Sequence, residues 1–142
     1  MNPLEKRLND INDVINLYKS FDKYNNHTRE ELFNYLLQPF NLNQCKIFYK
    51  NNKPSAFVSW AFLDEEYEEH FKLTSDINNW NCGDRVWLID LVSCGDSRKM
   101  VKWTNQYFSK LLGVGKKVNY LKIDDKWNMY RISSSVTKEC YK

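Results

Sequence analysis

A nearly unbroken apolar run, Arg85-Val86-Trp87-Leu88-Ile89-Asp90-Leu91-Val92, does most to limit the folds open to this chain. It has the length of a strand and is too short to be an ordinary helix. Apolar side chains at both parities need cover on both faces. That predicts a central strand of a mixed sheet, with packed layers above and below. The turn Gly83-Asp84 precedes the run, and one acid, Asp90, closes its apolar core. A carboxylate there is costly unless it is paired or hydrogen-bonded. Two readings stay open: a strand-end acid that caps the next loop, and an acid kept for chemistry.

The other elements follow from periodicity. Ile11, Val14, Ile15, Tyr18 and Phe21 recur at helical spacing and predict a helix over 10–21. Thr28 and Glu31 form a capping box, and Leu32, Phe33, Leu36, Leu37 and Phe40 continue a second helix that Pro39 limits. Lys46–Tyr49 and Ala56–Leu63 read as a hairpin around Asn51-Asn52-Lys53-Pro54. Asp64–Leu73 reads as a helix with an acidic start and a solvated acidic face. A helix starting at Asp96 or Ser97 runs to Leu112 and stops at Gly113. Val118–Ile123 and Met129–Ile132 read as the last strands, with a frayed tail from Ser133. The order α-α-β-β-α-β-α-β-β predicts an α/β fold: one domain over 1–142, a mixed sheet with flanking helices.

Composition excludes several function classes. The net charge of +3 is too mild for the basic stripe of a nucleic-acid binder, though it allows a local basic face toward an acidic partner. Cys45, Cys82, Cys94 and Cys140 form no CxxC pair and lie far from His27 and His70, so zinc-type spacing is absent and no metal site is expected. Met1–Asp10 is polar and charged, unlike a signal peptide, and no apolar run is long enough for a bilayer. The expectation is a soluble cytoplasmic protein with reduced cysteines. Gly113-Val114-Gly115-Lys116-Lys117 follows a helix instead of opening one, so it is a helix stop and not a phosphate loop.

The histidines differ in context. His70 sits in the acidic helix, where Glu66 is an i,i+4 partner, and reads as a surface residue. His27 sits on a loop just before a helix start, where the dipole disfavours an imidazolium and favours the neutral ring that a general base needs. An idle loop histidine is the plain alternative.

Two blocks carry a resemblance. Pro54-Ser55-Ala56-Phe57-Val58-Ser59-Trp60-Ala61 and Trp80-Asn81-Cys82-Gly83-Asp84-Arg85-Val86-Trp87-Leu88-Ile89-Asp90 together resemble the RTX-toxin-activating acyltransferases. Gly95-Asp96 and Leu121-Lys122-Ile123-Asp124-Asp125-Lys126 extend the likeness over most of the chain, and the match is loose around His27. The resemblance implies a fold similar to the Gcn5-related N-acetyltransferases. It also implies fatty-acyl transfer from acyl carrier protein to lysines of a protoxin, with no bound cofactor. Residue by residue, it gives catalytic roles to His27 and Asp90, as base or nucleophile and as its orienter. Similar compact proteins accompany microcin gene clusters, which implies an alternative: attachment of a siderophore or other small group to a peptide C-terminus, with a partner maturation subunit. A third reading, from another class, is a non-catalytic immunity or chaperone-like module. A homodimer or hetero-oligomer fits any of these.

Other residues have expected roles on the acyl-transfer reading. Arg85, Lys117, Lys122 and Arg131 are candidates for a basic face toward an acidic carrier. Trp60, Trp87 and Phe57 are candidates for an acyl pocket, with core packing as the alternative.

Overall fold

The structure, a computed structural model, describes residues 2–21, 26–95, 97–123 and 129–138. Side chains of 122, 123 and 129–131 lie outside that description. Nine elements follow in the expected order: α1 (Pro3–Lys19), α2 (Arg29–Asn41), β1 (Cys45–Lys50), β2 (Lys53–Leu63), α3 (Glu65–Thr74), β3 (Arg85–Ser93), α4 (Arg98–Leu112), β4 (Lys117–Ile123) and β5 (Met129–Val136).

Helix α1 starts earlier than its apolar spacing predicts, because Asn2 caps it by accepting the Glu5 N–H at 2.8 Å and Pro3 occupies the first turn. The capping box of α2 is formed: Glu31 N–H donates to Thr28 Oγ1 at 3.1 Å, and Thr28 N–H donates to Glu31 Oε1 at 3.2 Å. Pro39 does not end α2. It lies buried in the last turn, and the Gln44 N–H bonds its carbonyl. Strand β5 runs to Val136, so residues 133–136 are not the frayed tail expected from Ser133, and 139–142 lie outside the described residues. Residues 133–136 pair with Lys117–Tyr120. Asp96, one of the two expected helix starts, lies outside the described residues, while Ser97 stands at the N-cap of α4.

The sheet order is β1-β2-β3-β4-β5, antiparallel except for the β3–β4 pair. Strand β3 is therefore central, as its apolar run requires. Asn51 and Asn52 take positive φ of 53° and 65° in the two-residue turn between β1 and β2, the conformation such a hairpin demands. On one face α1 and α2 pack Ile11, Val14, Tyr18 and Leu36 against Phe57 and Val92. Further along the same face, α3 brings Phe71 against Ala61, Leu63 and Trp87. On the other face α4 lays Met100 and Phe108 over Val58, Trp60, Val86 and Leu88.

The Gly83 of the second block has a steric cause. A Cβ there would stand 2.4 Å from the backbone of Leu63 and Asp64. The turn is tied down by the Cys82 and Gly83 N–H groups, which both donate to the Phe62 carbonyl. The 80–84 segment thus lies against the end of β2, and only glycine permits that approach.

Candidate active site

Asp90 owes its direction to a register slip. Ser59 pairs with Asp90, but Trp60 pairs with Leu88, so Ile89 is the extra residue of a β-bulge. Alternation along β3 is broken there. Trp87 and Ile89 face α3, and Asp90, next in sequence, turns to the same side of the sheet. Without the bulge its carboxylate would point at α4.

The carboxylate is held by hydroxyls. Tyr35 Oη donates to Oδ2 at 2.8 Å and Ser59 Oγ donates to the same oxygen at 2.6 Å. The Asp90 N–H donates back to Ser59 Oγ at 3.1 Å, which closes a ring between β2 and β3. The Tyr18 hydroxyl also bears on the group. Burial raises the affinity of Asp90 for its proton above that of an ordinary carboxylate, and the Ser59, Tyr35 and Tyr18 hydroxyls oppose that rise. Cys45 pairs with Ser59 across β1–β2, so Cys45, Ser59 and Asp90 form one row. Burial, with Asp90 beside it, pushes the Cys45 thiol up to about 12.

The sheet opens beside this row. The β3–β4 ladder joins Val86, Trp87 and Leu88 to Val118, Asn119 and Tyr120. Beyond Leu88 no pair joins β3 to β4 among the described residues, while β4 stays paired to β5 as far as Ile123. The seam between two parallel strands therefore parts at the level of Ile89 and Asp90. Among the described residues, the backbone of β3 beyond Leu88 has no β4 partner. On the α4 face, a groove of about 600 Å³ has Leu88, Val101, Phe108 and Val118 as its apolar floor.

His27 is exposed, one residue before the N-cap of α2. Its Nδ1 lies 3.8 Å from Glu31 Oε2, and its carbonyl accepts from Lys19 Nζ. None of the described contacts joins His27 to Asp90. Tyr35 stands eight residues further along α2, about 12 Å of helical rise, and its side chain reaches Asp90.

The remaining candidates are spread over the molecule. Arg85 opens β3, and its Nη1 is 3.0 Å from Glu68 Oε1. Lys117 opens β4 and is exposed. Lys122 and Arg131 are register partners on β4 and β5, with their side chains outside the description. Trp60 is core, packed on Trp103, Tyr107 and Phe108 at ring separations of 5.9, 4.9 and 5.5 Å on the face away from Asp90. Trp87 is buried against Phe71 and donates its indole N–H to Glu68 Oε2 at 2.8 Å. Phe57 is buried between Tyr18 and Phe40.

Sequence reasoning missed Glu68. The acidic face of α3 is not wholly solvated: Glu68 is buried and gathers Arg85, Trp87 and Lys72. The i,i+4 partner expected for His70 is replaced by Asn78, at 2.8 Å. The sequence marks Tyr18 only as part of the apolar face of α1 and does not mark Tyr35, since no spacing in α1 or α2 assigns a hydroxyl to β3. Among the described residues no three His, Cys, Asp or Glu side chains gather as for a metal, and no helix is long and apolar enough to cross a membrane.

A mixed sheet with a parted parallel pair and helices on both faces defines a known class of fold. The crystal structure of the loading GNATL domain of CurA from Lyngbya majuscula superposes with a TM-score of 0.56 at 16% identity, over 81% of this chain and 61% of that one. The model of the RTX toxin acyltransferase family matches residues 6–134, and the chain belongs to that family. The protein-lysine palmitoyltransferase CyaC of Bordetella bronchiseptica is 37% identical over 60 residues, which are 40% of this chain and 32% of CyaC. The RTX-II toxin-activating lysine-acyltransferase ApxIIC of Actinobacillus pleuropneumoniae is 25% identical over 140 residues, 96% of this chain and 88% of that protein. The protein-lysine myristoyltransferase HlyC of Escherichia coli is 28% identical over 104 residues, 69% of this chain and 56% of HlyC. The matched segment thus spans about a third of CyaC and just over half of HlyC.

Proposed function

We propose that this chain is an acyltransferase that moves a fatty acyl group from acyl carrier protein to a lysine of a toxin precursor. Family membership supports the reaction class. The observation that carries the reading is Asp90, turned by a bulge to one face of the sheet and held by hydroxyls where the β3–β4 seam parts.

The chemistry asks for a neutral amine. A lysine has a pKa of about 10.4 in water, so a base must take a proton from its ammonium before attack. His27 takes that proton. The amine nitrogen then bonds to the thioester carbonyl carbon, the C–S bond breaks, the proton held by His27 passes to the departing thiolate, and the second proton, lost by the nitrogen as the amide forms, leaves to solvent. Asp90, in this reading, fixes the imidazole by its other nitrogen. In this reading the acceptor lysine enters between the start of α2 and the parted seam, and the His27 ring exchanges Glu31 for Asp90. The reaction belongs to the cytoplasm, where carrier thioesters are made.

Intact-mass analysis of a precursor mixed with acylated carrier tests this. Mass gain by one acyl group, lost in His27→Ala and Asp90→Asn variants that remain folded, is the expected outcome. A fully active, folded His27→Ala variant ends the reading of His27 as base. Joining of a siderophore or other small group to a microcin, with a partner subunit present and no acyl transfer, assigns the chain to peptide maturation instead. Binding with no mass change under either condition assigns it to a non-catalytic module.

A further inference from the structure

A second feature lies on the same sheet face as Asp90, at the closed end of the seam. Lys72, Arg85, Lys116 and Lys117 line a groove of about 690 Å³, facing the carboxylates of Glu68 and Asp84. Glu68 is already committed: its oxygens lie 3.0 Å from Arg85, 3.5 Å from Lys72 and 2.8 Å from the Trp87 indole nitrogen. Lys72 also pairs with Glu69 at 3.2 Å, so these carboxylates order two of the cations and leave the groove's positive excess on Lys116 and Lys117.

Two of the groove's three lysines, Lys116 and Lys117, come from a built turn. Gly113 and Gly115 take positive φ of 88° and 85°. Buried Thr137 clasps the turn: its hydroxyl accepts the Lys116 N–H at 2.8 Å and donates to the Gly113 carbonyl, and its N–H donates to the Lys116 carbonyl at 2.8 Å. A plain helix stop needs one glycine. This turn instead fixes two adjacent exposed lysines beside Arg85.

The groove and Asp90 lie along the same pair of strands. Along this face Lys117, Asn119 and Leu121 of β4 run beside Arg85, Trp87 and Ile89 of β3, with Trp87 and Asn119 in register. Among the described residues the helices make their main contacts with β2. From Arg85 to Asp90 is five residues of strand, roughly 16 Å.

We propose that this four-cation groove is the docking surface for the protein that brings the acyl thioester: an acidic carrier seats its carboxylates on Lys72, Arg85, Lys116 and Lys117, and its flexible arm runs along the β3–β4 seam to Asp90. This rests on the acyltransferase reading and adds to it the place and direction of donor entry. Fixed cations on a partner surface steer an acidic protein and set its orientation, and the contact weakens as salt rises.

The test separates docking from chemistry. Lys116→Glu/Lys117→Glu is compared with Lys50→Glu/Lys53→Glu, a charge reversal on the exposed β1–β2 hairpin. Two donors are used: acylated carrier protein, and the same acyl group on N-acetylcysteamine, which has no acidic surface. The turn variant should raise KM for the carrier by about tenfold or more, hold kcat, and leave the small thioester unaffected. The hairpin variant should change neither. Unchanged KM, equal loss with both donors, or equal loss in the hairpin variant overturns the proposal. Titration of the wild-type protein with unacylated carrier reads docking alone. No binding, or displacement of the carrier by an oligonucleotide of equal charge, also overturns it. Binding that the turn variant loses, without transfer of any acyl group by the wild type, keeps the docking surface and rejects the acyltransferase reading.

Discussion

Tyr35 of α2 donates its hydroxyl to Asp90 of β3 across 2.8 Å, 55 residues away in the chain. This bond ties the helix that begins beside His27 to the strand that carries the acid. It also opposes the effect of burial on Asp90, because a hydrogen bond to the charged form stabilises that form. Tyr35→Phe keeps the ring and removes the bond. It should cost about 1–2 kcal/mol of stability and raise the Asp90 pKa further. If activity needs ionised Asp90, the acidic limb of the kcat/KM profile moves to higher pH. A profile that keeps its shape while activity falls uniformly would assign Tyr35 to packing alone.

Asp90→Asn should separate stability from activity. The folded pKa of Asp90 is raised above the ordinary value of 3.8, chiefly by burial. Its favourable contribution is therefore full below about 3.8 and is lost as pH rises through the higher folded value. At neutral pH, above the unfolded value, the raised pKa costs the wild-type protein stability. Asn removes that cost, so the variant should melt at a higher temperature at pH 7, and the gain should vanish as pH falls below 4. Transfer activity should be lost. Melting curves across pH decide this, and a variant less stable at every pH would mean that the hydroxyl ring needs the carboxylate itself.

Gly83→Ala should destabilise by about 1–3 kcal/mol. The added Cβ meets the backbone of Leu63 and Asp64 at 2.4 Å, and backbone cannot rotate away as a side chain can. The 80–84 segment must lift from the end of β2, which weakens the Cys82 and Gly83 bonds to Phe62. Denaturant midpoints with an unchanged slope would report this as a native-state effect.

How much of this was legible in the sequence depends on the range of the interaction. The run Val86–Val92 announced a central strand because burial on both faces is written in consecutive residues. Thr28 and Glu31 announced the start of α2 because a capping box is local. Asp90 was marked as a costly acid, but its partners were not, since Tyr35 and Ser59 reach it only after three elements assemble. The bulge at Ile89 left no sign in β3, and without it alternation would aim Asp90 at α4. Glu68 was hidden for a similar reason. Nothing in an acidic helix face says that one of its members will meet an arginine and an indole from the central strand. Trp60 and Trp87 were ambiguous between pocket and core because burial alone does not tell the two apart. Packing places Trp60 wholly among rings of α4.

The cysteines should report the row across β1, β2 and β3. Cys45 is pushed up to about 12 by burial with Asp90 nearby, whereas Cys94 is exposed. The thiolate is the reactive form, so mild alkylation at pH 8 should label Cys94 and spare Cys45 in the folded protein, with both labelled after unfolding. Peptide mapping checks this. Asp90→Asn removes one neighbour that disfavours the Cys45 thiolate, but burial, the larger cause, remains, so protection should persist.

His27→Ala asks the most of the functional reading. The side chain is exposed and its ring contact is Glu31 at 3.8 Å, so its loss should change stability by no more than about 0.5 kcal/mol. Helix α2 keeps its start, because the capping box uses Thr28 and the other oxygen of Glu31. A base that removes the lysine proton is a different matter: without it the amine stays an ammonium at neutral pH and transfer should fall by about 100-fold or more. The loss should shrink as assay pH rises toward the lysine's own range, since solvent then supplies the neutral amine. An equal loss at every pH would place His27 in positioning or acyl-enzyme formation, and no loss at all would move the base elsewhere.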